Sequence, residues 1–346
     1  MHTYRGIPLA LAALSALTGF FSGTAPGEDS GAGLPTYCSS VSEVRVTFFA
    51  NDENNRPLEN VTMGDVAIVD NERVIRNFRS FARSDETSLD VVVLVDLSES
   101  IAPRFRTTMN EVLRLVAQEQ SIGSDNFPVL SFGGNPGRDV GGPATTSGSN
   151  LTPVVVCTRR CSGSDSVARF LEVANGGATP LYDALIFASD FIAQRRRSGV
   201  RPVVILFSDG DDTVSMHSRS EALRAVRDAG VLIYSVDLGM SKNRASGSAS
   251  YSTSSYHTSG SGFLRQASEV SGGRYFSFSE VSSQHNAGAT VLSAVLADLR
   301  ASYVITYDLP DHHLGFHSLR LLPTHNLNLT FHSRDGYDYE PGSPQF

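Results

Sequence analysis

The apolar positions of this chain change their spacing twice. Between residues 44 and 81, short apolar runs at 44–50, 66–69 and 74–81 are separated by Asn/Asp-rich turns and predict β-strands. From residue 91 the runs become unbroken. VVVLV at 91–95 and VVILF at 203–207 are the kind of β-branched, fully apolar segment expected of strands covered on both faces. Residues 129–132, 154–156, 231–236 and 274–278 predict further strands. Between them apolar residues recur at helical spacing: Met109, Val112, Leu113 and Val116, then Leu181, Leu185, Ala188 and Ile192. A helix over 221–229 is started by Ser220, a short one covers 263–270, and a last stripe joins Val291, Leu292, Val295, Leu296 and Leu299. After residue 300 the strand pattern returns, at 303–308, 317–322 and 327–332.

Strand–helix alternation over 87–300 predicts an α/β fold, an open and mostly parallel sheet flanked by helices. The strands on either side, 41–86 and 301–340, have too few apolar residues to build a large core separately. They are expected to pair into one additional small β domain, with the α/β unit inserted between its halves and a tail at 341–346. The alternative is that both flanks extend or cover the central fold. Residues 1–25 read as a signal peptide, with Arg5, an apolar stretch at 7–21 and small residues at 22–25. That stretch is short for a membrane span, and no other segment is apolar enough. The mature chain is therefore expected to lack a transmembrane segment and to be exported, whether periplasmic, cell-surface associated or secreted. Residues 26–40 read as a flexible lead-in. Two stretches rich in small polar residues, 133–150 and 239–262, read as recognition loops or as insertions.

Charge and cysteine content narrow the functions. A formal net charge of −8 over 346 residues, with one short arginine run at 195–197, excludes nucleic acid as an expected partner. Cys157 and Cys161 are close enough for a local disulfide, while Cys38 stands apart, so the three make a poor zinc site. His312, His313, His317 and His325 show no metal-site spacing. There is no G-x-S-x-G elbow, phosphate loop or HExxH pair, so no enzyme is expected.

The ends of the buried runs carry the informative chemistry. The first leads into Asp96, Ser98 and Ser100 as D-x-S-x-S; GGATPLY at 176–182 sets Thr179 just before a helix; VVILFSDGDDT ends on Asp209 and Gly210. Open α/β sheets place ligands beyond the carboxyl ends of their strands, and hydroxyl and carboxylate oxygens suit a hard cation. A single Asp/Ser turn reads equally well as a helix cap. The three stretches together resemble the von Willebrand factor type A (VWA) domain with its metal-ion-dependent adhesion site, over about residues 88–300. The whole chain is also similar to bacterial exported proteins carrying a VWFA-related domain, through RPLENVTMGDVAIVDNERVIRNF and the segments GFHSLRLLP and NLNLTFHSRDGY.

The resemblance implies that Ser98 and Ser100 ligate a metal directly, and Thr179 directly or through water. Asp96 and Asp209 would hold metal-bound waters and orient the serines. Ala178, between the glycines and Thr179, departs from the family pattern. Mg2+ is the implied ion, with Ca2+ or Mn2+ as alternatives. The implied partner is a protein or peptide supplying an Asp or Glu side chain to an outward coordination position. The competing readings are an envelope scaffold with a structural VWA domain and, from another class, a metal-assisted hydrolase. Around the cluster, Glu99 reads as solvent-facing, Asp183 as a cap or brace of the Thr179 loop, Asp211 and Asp212 as rim or helix start, and Asp237 as a loop brace.

Overall fold

The computed structural model describes residues 43–53, 57–83, 88–104, 127–133, 153–158, 177–195, 200–239, 260–277 and 301–340, with isolated positions between them. Residues 1–42 lie outside the described residues, so the expected signal peptide, lead-in and Cys38 are not among them. Positions 134–150 and 240–259 of the two polar stretches also lie outside, as do most of the helices expected at 109–116 and 291–299.

The VVVLV run forms the middle of a six-stranded sheet. In chain order its strands are β5 (Ser88–Asp96), β6 (Val129–Phe132), β7 (Val154–Cys157), β8 (Val200–Ser208), β9 (Leu232–Asp237) and β10 (Arg274–Ser277), in the spatial order β10-β9-β8-β5-β6-β7. Neighbours run parallel except at the β6–β7 edge. Both faces are covered, which accounts for the absence of polar alternation. Val91, Val93 and Val95 pack with Val203, Ile205, Phe207 and Tyr234 on one face. Val92, Leu94, Val204 and Leu206 face α1 (Leu181–Ala193), α2 (Arg219–Ala229) and α3 (Gly260–Ser271) on the other.

Helix α2 shows how local chemistry sets a boundary. Its cap is Ser218, not Ser220. The Ser218 hydroxyl accepts from the Glu221 N–H while the Glu221 carboxylate accepts from the Ser218 N–H. A glutamate three residues after the cap completes this box, whereas a helix capped by Ser220 would need an acid or amide at Leu223. Gly230, in the left-handed region at φ 55°, ends the helix.

The flanks form two four-stranded antiparallel sheets. Before the central sheet come β1 (Glu43–Asn51), β2 (Val66–Asp70), β3 (Arg73–Ile75) and β4 (Ser80–Arg83); after it come β11 (Ser302–Asp308), β12 (Gly315–Pro323), β13 (Thr330–Ser333) and β14 (Gly336–Tyr339). One sheet has the order β13-β1-β11-β4 and the other β14-β12-β2-β3, so each is completed only by strands from both flanks. Their inner faces share one core, including Val44, Val46, Phe48, Ile68, Tyr303, Ile305, Leu319 and Tyr337. The apolar run 74–81 is two strands rather than one. β3 pairs with β2 and β4 with β11, so the chain crosses between sheets at 76–79. β13 starts at Thr330 rather than 327, because Asn326 holds a turn by accepting from the Asn328 N–H through its side chain and from the Leu329 N–H through its carbonyl. β14 has no counterpart among the expected strands.

A buried polar group ties the second sheet to the first. The Asp70 carboxylate has no exposure and accepts from the Tyr307 hydroxyl at 2.7 Å and the Tyr337 hydroxyl at 2.8 Å. His317, equally buried, places Nδ1 3.3 Å from Asp70 and donates through Nε2 to the His313 carbonyl at 2.7 Å. Burial pushes both phenols above their ordinary range, so they remain donors to the carboxylate. His317 is thus a core residue.

Phe48 is fully buried and stacks on Tyr303 with ring centroids 5.3 Å apart. Phe48→Ala is expected to cost about 3–5 kcal/mol, read as a lower denaturation midpoint with an unchanged slope in urea.

Candidate metal centre

Asp96 is the last residue of β5, between β8 and β6, and the strand delivers its carboxylate to the carboxyl end of the sheet with no solvent exposure. One oxygen accepts from the Ser98 N–H at 2.9 Å and the other from the Ser208 hydroxyl at 2.7 Å. The first bond closes a tight turn, which brings the Ser98 and Ser100 hydroxyls to 3.1 Å from each other. Ser98 is buried and Ser100 exposed, so the pair leads from the interior to the surface. The end of β6 leaves little room beside them. A Cβ on Gly133, whose φ is +78°, would lie 3.0 Å from the Ser98 nitrogen and 3.2 Å from the Asp96 carboxylate.

The other two predicted loops adjoin this turn. The Glu99 N–H donates to the Gly177 carbonyl at 3.3 Å, which attaches the segment leading to Thr179. Thr179 is buried and paired with Thr213: the Thr179 N–H donates to the Thr213 hydroxyl, and the Thr213 N–H to the Thr179 carbonyl, both at 2.8 Å. Thr213 belongs to the segment that follows Asp209. Ser208 links that segment to Asp96 from the other side, because its hydroxyl also accepts from the Gly210 N–H at 3.0 Å. The loops bearing Asp96, Ser98 and Ser100, Thr179, and Asp209 are therefore joined pairwise by hydrogen bonds. Ser208, which makes one of these joints, was missed from the sequence; its only signal is its place just before Asp-Gly.

Charge is unbalanced here. Burial pushes the Asp96 carboxyl up to about 7, against the lowering effect of its bonds from Ser98 and Ser208, while Asp209 repels its charge. Among the described residues neither Asp96 nor Asp209 forms an ion pair with Lys, Arg or His. A buried carboxylate whose donors among the described residues are neutral, with the Ser98 and Ser100 hydroxyls in the turn it closes and Asp209 near enough to repel its charge, has a chemistry that fits a small hard cation. Among the described residues no group of three or more His, Cys, Asp or Glu side chains is placed to hold a metal. The donor set at this end of the sheet is of a different composition, with hydroxyls outnumbering carboxylates.

The surrounding acids have structural partners. Asp183 does not brace the Thr179 loop itself. It accepts from the Met216 N–H at 2.9 Å, the His217 N–H at 3.0 Å and His217 Nδ1 at 2.7 Å. Burial alone would raise its pKa, but these bonds outweigh that and hold the carboxyl below its ordinary range; the bond His217 donates to Asp183 raises the pKa of His217. Asp212 accepts from the Tyr182 N–H and the Ser215 hydroxyl. Together the two aspartates fasten segment 212–217 to the start of α1, leaving Met216 exposed. Asp237 accepts from the Gly239 N–H and the Tyr275 hydroxyl, as expected of a loop brace. Glu99 is exposed. At the far edge of the sheet Cys157 and Cys161 form a disulfide with Cα atoms 5.7 Å apart.

A mostly parallel sheet whose central strand ends in D-x-S-x-S, with a threonine loop and an Asp-Gly strand end beside it, defines an open α/β domain with oxygen-bearing side chains at its strand ends. Residues 90–258 match the von Willebrand factor type A domain family. The chain thus carries a domain of the VWA superfamily. It is also similar to the collagen alpha-4(VI) chain of Mus musculus, 22% identical over 170 residues, which is 49% of this chain and 7% of that protein. The chain therefore spans only 7% of the length of this curated relative. Among solved structures, the conserved hypothetical protein BatB from Bacteroides thetaiotaomicron is 16% identical with a TM-score of 0.38, covering 61% of this chain and 97% of that one. The pilus adhesin SpaC from Lactobacillus rhamnosus GG, in its open conformation, is 11% identical with a TM-score of 0.42, covering 84% and 47%. Manganese-loaded TRAP protein from Plasmodium vivax is 14% identical with a TM-score of 0.37, covering 80% and 100%.

Two predictions follow from this geometry. Gly210 has φ +80°, and a Cβ there would lie 2.1 Å from the Gly260 carbonyl oxygen. Gly210→Ala is expected to destabilise by about 2 kcal/mol or more, combining left-handed strain with overpacking, measurable by chemical denaturation. For the Asp183–His217 pair, the folded His217 pKa lies above its ordinary 6.5. Its stabilising effect is complete below about pH 6.5 and is lost as pH rises through the raised value. The stability gap between wild type and His217→Gln should therefore be largest in mild acid and close at alkaline pH.

Proposed function

We propose that this chain is a metal-dependent protein-binding module in which Ser98, Ser100 and Thr179 supply hydroxyl ligands and Asp96 and Asp209 hold waters of the bound ion. The observation that carries this is the Asp96 carboxylate, buried between neutral donors where three loops join. A divalent cation, Mg2+ by its fit to small hydroxyl oxygens, with Ca2+ and Mn2+ as alternatives, would supply a Lewis-acidic position open to a partner's carboxylate. The chain's own residues prepare that position. Asp96 fixes the serine turn, Ser208 fixes Asp96 against the Asp209 loop, and Thr213 holds Thr179 in place. With both carboxylates holding water and orienting neighbours, a cation bound here would keep residual positive charge toward an incoming anion.

The partner is a protein or peptide presenting an Asp or Glu side chain. Selectivity beyond that carboxylate falls to the surrounding loops, of which segment 212–217 is fastened and carries the exposed Met216. The VWA-superfamily assignment is in keeping with binding rather than catalysis. The Cys157–Cys161 disulfide suits an exported protein, since such bonds persist in oxidising compartments.

Titration calorimetry with Mg2+, Ca2+ and Mn2+ tests the ion, and an array of acidic peptides beside their Asn/Gln counterparts tests the partner. Ser98→Ala and Asp209→Ala are expected to lower metal affinity by about 10- to 100-fold and to abolish metal-dependent retention of acidic peptides, with unchanged circular dichroism. Retention that persists in chelator, or that does not distinguish Asp from Asn, would sink the proposal.

A further inference from the structure

The β-sandwich and the Asp209 loop lie at opposite ends of α3, and both ends of that helix are fixed through backbone contacts. At its start, a Cβ on Gly260 would lie 2.4 Å from the Asp209 carbonyl oxygen and 2.6 Å from the Asp211 nitrogen. Gly210 is constrained reciprocally by the Gly260 carbonyl. The helix therefore stands directly on the loop, with no flexible side chain between them. At its finish, the turn between β13 and β14 closes on the helix. The Asp335 N–H donates to the Val270 carbonyl at 3.3 Å. A Cβ on Gly272, whose φ is +79°, would lie 2.7 Å from the Arg334 nitrogen.

That turn is clamped to the α/β unit by one bidentate pair. Arg227, near the end of α2, donates from Nε at 2.8 Å and from a terminal nitrogen at 2.7 Å to the Asp335 carboxylate, and its guanidinium lies over the Phe316 ring of β12 at 5.2 Å. Such fork-to-fork pairs fix orientation as well as distance. The turn is anchored on its own side by Arg334, which donates to the Arg45 carbonyl of β1. At the opposite end of α2, Arg219 grips α3, with two bonds to the Gln266 side chain at 2.9 and 2.6 Å and one to the Gly262 carbonyl at 3.2 Å. Between these fastenings α3 buries Phe263, Leu264, Ala267 and Val270. Twelve residues of helix span about 18 Å.

We infer that α3 is a strut by which the flanking β-sandwich sets the position of the Asp209 loop, and that Arg227 and Asp335 are positioning residues for the candidate metal centre. The role of that loop rests on the function proposed above; the mechanical link does not. Releasing the clamp frees the last turn of α3, and its first residue, packed backbone to backbone on Asp209, transmits that slack. Neither Arg227 nor Asp335 belongs to the loops that carry the oxygen ligands.

The test uses the full chain with Asp335→Ala, Asp335→Glu as the conservative restoration, and Arg73→Ala as a control. Arg73 donates to the Pro310 carbonyl and pairs with Asp311 on the sandwich surface, away from α3. Hydrogen exchange is followed at the amides of 209–213, and Mg2+ affinity is measured by calorimetry. Asp335→Ala is expected to speed exchange at 209–213 and to weaken Mg2+ binding, each by between about twofold and thirtyfold. Asp335→Glu should restore both toward wild type, and Arg73→Ala should change neither. Unchanged exchange at 209–213 in Asp335→Ala would overturn the strut, as would an equal change in Arg73→Ala. Faster exchange with unchanged Mg2+ affinity would overturn the positioning role. A wild-type chain that binds no Mg2+ would count against the proposed metal centre, and the exchange measurement would still decide whether the strut exists.

Discussion

A carboxylate with no access to water ends the central strand of the sheet, and the arrangement around it follows from the cost of keeping it there. Asp96 meets the Ser98 N–H on one side and the Ser208 hydroxyl on the other, both neutral. These bonds hold its geometry without cancelling its charge, and Asp209 adds charge of the same sign. The serine turn, the Ser208 bridge and the close approach of Gly133 all involve this group. The same lack of a protein cation nearby, among the described residues, is what makes a bound metal chemically reasonable.

The architecture separates the tasks of support and presentation. Two layers of apolar residues clamp the central sheet from both faces, so its strand ends form a firm base for short loops. The sandwich is built from strands on both sides of the α/β unit and fastens near the ends of α2 and α3 remote from the candidate centre. An inserted domain held by two chain crossings, a bidentate ion pair and further contacts such as Arg224 to Asp338 and Arg201 to Ser302 has less freedom than one on a flexible linker. That is why the sandwich is more than an addition to the VWA-superfamily domain: it fixes the base on which α3 stands.

Much of this was legible because a few sequence signals have local causes. Unbroken β-branched runs at 91–95 and 203–207 mark strands buried on both faces whatever lies beyond them. D-x-S-x-S and Asp-Gly immediately after such runs place oxygen-bearing side chains at strand ends. The failures have equally specific causes. Residues 74–81 read as one strand because apolar pattern does not reveal which sheet each half will join. Ser220 reads as the cap because it directly precedes the helical stretch, whereas the reciprocal bonds with Glu221 select Ser218. Asp183 was assigned to the nearer Thr179 loop, whereas its partners are 33 and 34 residues away.

The sequence by itself determined the class of fold, the location of the oxygen-bearing residues at strand ends, and the dependence of the β domain on both flanks. These are set by periodicity and by neighbours within a few residues. Only the tertiary structure decided that Ser208 joins Asp96 to the Asp209 loop, that His317 is a core residue against Asp70, and that Arg227 meets Asp335. Each of these is a polar contact between distant segments. Burial and directional hydrogen bonding select such partners only once the backbone has brought them together, and no spacing along the chain records that choice.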